Sequence, residues 1–132
     1  MTTLTRDQAR TIVDAALAAG TSEGIRISVA VTDAGGHLLS FDRNENANLA
    51  TIDIAIQKAR TSTFSKAPTA YLTQAMQPGG PLYTAESTSG GLSAIPGGVP
   101  STDSDGTMIG AIGISGGSGE QDNSIATSAV SA

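Results

Sequence analysis

Between Ile109 and Asp122 the chain reads IGAIGISGGSGEQD, an alternating aliphatic run, then glycines, then acidic and amide residues. No other stretch narrows the fold as much, because it demands a strand, a sharp turn and a helix start in immediate succession. The same succession cradles phosphate in nucleotide enzymes, so the spacing has to be tested. A P-loop needs a lysine after its last glycine, and none follows Gly119. The dinucleotide fingerprint G-x-G-x-x-G fails too, since Gly117-Ser118-Gly119 runs on into Glu120, Gln121 and Asp122. Glu120 and Asp122 fall in the first turn of the coming helix, where they complement its positive end and repel a phosphate. Ser118-x-x-Gln121 is a capping box. The stretch therefore predicts a strand whose glycines turn it into a capped helix over 121–130.

A second capping box, Thr5-x-x-Gln8, opens a first helix with Ala9, Ile12, Val13, Ala16 and Leu17 on one face and Gly20 at its end. IRISVAVTD then alternates Ile25, Ile27, Val29 and Val31 against Arg26, Ser28, Ala30 and Thr32, a strand with one large-residue face and one small-residue face. DAGG supplies the hairpin turn, and HLLSFDR returns as the second strand. Alternation along that strand puts His37 on the same face as Leu39 and Phe41. Over 49–63 the period becomes helical. Leu49, Ile52, Ile56, Ala59 and Thr63 make one stripe, with Ala50 and Ile54 nearly opposite, beside Lys58. A helix apolar on two sides is expected to be covered by its own sheet and by a second subunit. Pro68 to Met76 reads as a short helix with proline at its start. Residues 78–106 are irregular, with GLSAI and GGVPS as short strands and DSDG as a turn. That turn is no calcium loop, since its twelfth position would be Ile114 rather than a glutamate. The expected class is α/β (α+β), one domain over residues 1–132. It is an antiparallel sheet of about five strands with helices packed on it.

Composition limits what such a domain can do. Aromatics are 3% and glycines number 16 of 132 residues, so Ala, Val and Ile packed closely on glycine must build the core. So thin a core favours association. With 7 Lys and Arg against 12 Asp and Glu, the net charge of −5 disfavours nucleic acid and anionic membranes as partners. There are no cysteines, hence no disulfides and no thiolate metal site. No apolar run approaches a membrane span, and the N-terminal residues do not look like a secretory signal, so a cytoplasmic protein is expected.

Four segments, VTDAGGHLLSFDR, TIDIAIQKA (51–59), GGLSAIPGGVP and GAIGISGGSGEQD, follow one another over nearly the whole chain. Together they resemble the GlcG/HbpS-like haem-binding family, which also supplies the C-terminal domain of PduO-type corrinoid adenosyltransferases. The resemblance implies a profilin/roadblock-like sandwich, a homo-oligomer (tetramer or octamer) and haem as a ligand of some members. It departs at DRNENANLA, where relatives often carry Arg-Met-Asp-Gly. In this light the glycine run is a pocket wall packed near IPGGVP.

The ligand-binding candidates are Lys58, Gly97, Gly98, Ser115, Gly116, Gly117 and His37. One histidine is too few for an ordinary catalytic zinc or iron site, whereas haem needs only one or two axial ligands. His37, Tyr71, Tyr83, Met76 and Met108 qualify by atom type. Lys58, Arg60 and Lys66 hold three of the seven basic residues and suit a carboxylate or a haem propionate. Asp42 and Glu45 match an acid-x-x-acid pattern tied to surface iron in one branch of the family. Arg43 between them partly neutralises the pair. The first reading is a non-catalytic small-ligand-binding protein that holds haem or another flat anionic molecule in a pocket near a subunit interface. The second is a cofactor-free lyase or isomerase acting on a small carboxylate substrate. There Lys58 would hold the substrate, the Gly116 and Gly117 amides would stabilise an oxyanion, and Glu86 or His37 would move a proton.

Overall fold

The computed structural model describes residues 3–132. Helix α1 spans Arg6–Ser22, strands β1 and β2 span Ser28–Asp33 and Leu38–Arg43, and helix α2 spans Ala50–Ser65. Two 3₁₀ turns, Thr69–Tyr71 and Tyr83–Ser87, lead to β3 (Gly98–Thr102), β4 (Met108–Ser115) and α3 (Gly119–Ala129). The four strands form one antiparallel sheet in the order β2-β1-β4-β3. The α+β class is as expected, with four strands rather than about five. Among the described residues no helix is long and apolar enough to cross a membrane.

Both capping boxes form. Thr5 Oγ1 accepts the Gln8 N–H at 3.1 Å, and Ser118 Oγ accepts that of Gln121 at 3.1 Å, each answered by the glutamine side chain. Each satisfies two N–H groups the helix leaves unpaired. α1 runs past Gly20 to Ser22, because Gly20 serves packing: a Cβ there would lie 3.1 Å from Ile27 Cδ1. The chain leaves the helix instead at Gly24, whose φ is +73°.

The two faces of the sheet are built differently. α1 and α3 cover one face, where Ile12, Val13, Val29, Val31, Ile112, Ile114 and Ile125 form the main core. α2 covers the other, with its Ala55 and Ala59 against Ala30 of β1. Here backbone meets backbone: a Cβ on Gly113 would collide with the Ala55 carbonyl and Ala59 nitrogen, and one on Gly98 with the Lys58 carbonyl. α2 is rotated about its axis from the expected orientation, so that of the stripe Leu49, Ile52, Ile56, Ala59 and Thr63 only Ala59 and Thr63 are buried. Its small side, Thr51, Ala55, Ala59 and Ser62, is buried, while Leu49 is 75% exposed and Ile52 and Ile56 are half-buried. The glycines of the sheet admit a helix only by its small residues.

Two further expectations change. GLSAI is not a strand, because hydroxyls take up its backbone groups. Thr61 Oγ1 accepts the Ser93 N–H (2.9 Å), while Thr73 and Thr69 donate to the carbonyls of Ala94 (2.6 Å) and Ile95 (2.7 Å). The helix expected over 68–76 is a single 3₁₀ turn followed by irregular turns.

Candidate functional site

The expected pocket wall assembles around Lys58, as a packed junction. Lys58 projects from α2 beneath the ends of the sheet and is 1% exposed. Its Nζ donates to the Ile114 carbonyl at 2.7 Å and to Asp122 Oδ2 at 3.0 Å, and Asp122 Oδ1 accepts the Gly117 N–H at 2.9 Å. Gly97, at φ +133°, leaves room over the ammonium, since a Cβ there would lie 2.7 Å from Nζ. Gly116, at φ +150°, rests on the backbone of Arg26 and Ile27, and Ser115 is buried beside it. Burial drives the Lys58 pKa below its ordinary value, and the charge and hydrogen bond of Asp122 oppose that shift. The ion pair thus ties α2, β4 and the first turn of α3 together and faces inward, with no open mouth on it.

His37 lies at the other end of the sheet. Ser28 pairs with Ser115 whereas Asp33 pairs with Gly110, a separation of about 17 Å at ~3.3 Å per residue. The histidine and the glycine turn therefore sit too far apart to flank one small substrate, and the Gly117 amide proposed for an oxyanion is already bonded to Asp122. Glu86 is exposed on the second 3₁₀ turn, on the rim of a cleft of about 430 Å³ that it shares with Met76, Ala94, Ile95 and Pro96. The three groups assigned to a lyase or isomerase are dispersed.

The His37 side chain is 84% exposed, with Nδ1 3.3 Å from Asp33 Oδ1. Asp33 Oδ1 also accepts the N–H groups of Gly35 and His37, each at 2.9 Å, which fixes the turn. The exposed imidazole is a residue type that can ligate a metal, and it stands beside the Asp33 carboxylate. His37 does not share a core face with Leu39 and Phe41. Val31 and Thr32 pair with Ser40 and Leu38, so Leu39 is an extra residue that breaks the alternation within β2, and Leu39 packs with the α1 core while Phe41 packs with α2. Next to the histidine, Gly36 (φ +86°) seats the hairpin on α2, where a Cβ would meet Thr63 Oγ1 at 3.0 Å and the Phe64 ring at 3.3 Å. The Arg60 guanidinium stacks 5.1 Å from the centre of that ring and donates to the Ser89 carbonyl at 3.0 Å. Leu38 and Phe64 are each 49% exposed. An exposed imidazole and two uncovered apolar side chains thus stand on or beside the hairpin turn that Gly36 seats against Phe64 and Arg60. These are the residue types a haem edge or face requires, and on this surface the chain fits that group.

The remaining candidates stand apart. Tyr71 is 76% exposed and Tyr83 52%, whereas Met76 is buried and Met108 half-buried at the start of β4. Asp42 Oδ2 accepts from Arg10 at 3.2 Å and Oδ1 from the Arg43 N–H, while Glu45 is exposed beyond the strand. Among the described residues no three His, Cys, Asp or Glu side chains cluster as metal ligands. Two residues of consequence escaped the sequence reading: Asp122, taken there only as a helix-dipole partner, and Asp33. A lysine lodged among alanines signals a buried carboxylate elsewhere, and Asp33-x-x-x-His37 is visible as a spacing.

Comparison with known proteins places this geometry in context. The family model described as haem degrading protein HbpS-like matches residues 4–131. An uncharacterised 15.0 kDa protein of Citrobacter freundii, from the dhaT-dhaS intergenic region, is 33% identical over 97% of this chain and 90% of its own length. The crystal structure of Klebsiella pneumoniae protein ORFY superposes with a TM-score of 0.94 at 31% identity, over 99% of this chain and 90% of that one. The crystal structure of a PduOC:haem complex superposes with a TM-score of 0.90 at 33% identity, over 98% and 94%.

Proposed function

The chain belongs to the HbpS-like family, and from that premise we propose that it binds haem, with His37 as an axial ligand. What carries the reading is the exposed imidazole near uncovered apolar side chains, in a chain similar to one crystallised with haem. Bound there, haem would supply an iron open to small ligands or redox change. The protein's own contributions are separate from that chemistry. Asp33 stands beside His37 Nδ1, Phe64 and Leu38 offer apolar contact to the macrocycle, and Arg60 offers a cation to a propionate. Lys58 has no direct part, because its ammonium is spent on Asp122 and Ile114.

The test is a Soret titration of the whole protein. Wild type should saturate with a shifted band. His37→Ala should weaken binding at least tenfold, about 1.4 kcal/mol, and Phe64→Ser by less. A titration unchanged by His37→Ala would reduce the interaction to unspecific adsorption and end this reading. We also propose self-association through the outer side of α2, where Leu49 and Phe64 remain uncovered. Ile54→Glu should then shift the mass seen in light scattering towards the monomer, and a monomeric wild type at micromolar concentration would refute it.

A further inference from the structure

α2 stops at Ser65, and beside its end lies an open corner of about 520 Å³. Its walls are Ala34, Pro100 and Met108, with the hydroxyls of Thr102 and Thr107 at the rim. The two hairpin turns flank it, and each keeps its aspartate occupied. Asp33 Oδ1 takes the N–H groups of Gly35 and His37, and Asp103 Oδ1 those of Asp105 and Thr107. Lys66 is the only cation lining the corner, and among the described residues it forms no ion pair. It caps α2 at φ 55°, in the left-handed region where glycine or asparagine is the usual choice. A lysine there is a backbone compromise that puts an unpaired ammonium at the mouth of an apolar hollow.

We propose that this corner is a binding site for a small aliphatic monocarboxylate, its carboxylate on Lys66 and its chain against Met108, Pro100 and Ala34. The site shares no lining residue with the haem surface of His37, Leu38, Arg60 and Phe64. Its size falls in the range of small-molecule sites, and one charged group on apolar walls is their usual composition.

Isotope-labelled full-length protein titrated with hexanoate tests it. Saturable shifts are expected at the amides of Ala34, Lys66, Thr107 and Met108, with a dissociation constant at or below about 1 mM. Hexylammonium should produce none of them. Lys66→Gln should weaken hexanoate about tenfold and Lys66→Arg should restore it. Lys66→Gly should raise or keep the unfolding midpoint while losing the ligand, separating the charge from the backbone role. His37→Ala should leave hexanoate binding intact, so failure of the haem reading and failure of this one are distinguishable. Equal response to hexylammonium, indifference to Lys66→Gln, or loss of hexanoate binding in His37→Ala would each overturn the proposal.

Discussion

The two faces of the sheet solve the same packing problem with opposite materials. Under α1 and α3 the contact is made by branched aliphatic side chains, Val29 and Val31 meeting Ile112, Ile114 and Ile125. Under α2 it is made by Ala55 and Ala59 lying on Gly113 and by the Lys58 backbone on Gly98, with a buried lysine and aspartate at one end. Side chains have rotamers and can readjust, whereas backbone pressed on backbone has nowhere to go. The aliphatic face should therefore lose stability in small steps and the glycine face all at once.

The largest effect should come from Gly113→Val. The new side chain collides with the α2 backbone, and we expect a loss above about 4 kcal/mol, enough to unfold a marginal domain. Soluble, cooperatively folded Gly113→Val with a near-native urea midpoint would break the comparison. Next comes the ion pair. Lys58→Met leaves Asp122 buried and uncompensated, at a cost of about 3–5 kcal/mol, while adding Asp122→Leu should recover much of it. A double variant as unstable as the single would mean that the Gly117 N–H bond to Asp122, rather than the pairing, holds the junction. On the other face Ile112→Val should cost only about 1 kcal/mol by denaturant unfolding.

The smallest effect is a pH dependence. Burial lowers the Lys58 pKa below 10.5, so between that lowered value and 10.5 the unfolded chain holds a proton that the folded chain has released. Unfolding then takes up a proton, and the contribution of Lys58 to stability rises with pH across that window and is flat below it. The difference in urea midpoint between wild type and Lys58→Met should accordingly grow in favour of wild type towards pH 10.5. A difference independent of pH in that range would place the lysine pKa at its ordinary value.

The comparison also separates what the residues disclose from what they conceal. Caps and turns are local, and Thr5 with Gln8, Ser118 with Gln121, and Asp33 through His37 could be read from a few neighbours. The buried side of α2 could not. Its hydrophobic period selects Leu49, Ile52 and Ile56, but the choice was made by Gly98 and Gly113, dozens of residues away. The direction of His37 was hidden for a similar reason, because a bulge opposite Val31 and Thr32 is a property of the pairing and not of either strand. The residues of the expected glycine pocket lie near one another in a buried junction around Lys58, which pairs with Asp122. Hydroxyls of Thr61, Thr69 and Thr73 replaced a strand partner for 93–95, which no periodicity anticipates.

The strand order carries a further consequence, for how the chain finds its fold. β1 with β2, and β3 with β4, are each closed by a short aspartate-led turn, so both hairpins can form from local contacts alone. Only the pairing of β1 with β4 joins them, and it unites residues as distant as Ser28 and Ser115. Closing that loop costs chain entropy before any contact across it is gained. The central seam should thus be the kinetic bottleneck. Val29→Ala and Ile114→Ala should slow refolding, whereas loosening either turn should act mainly on the unfolding rate.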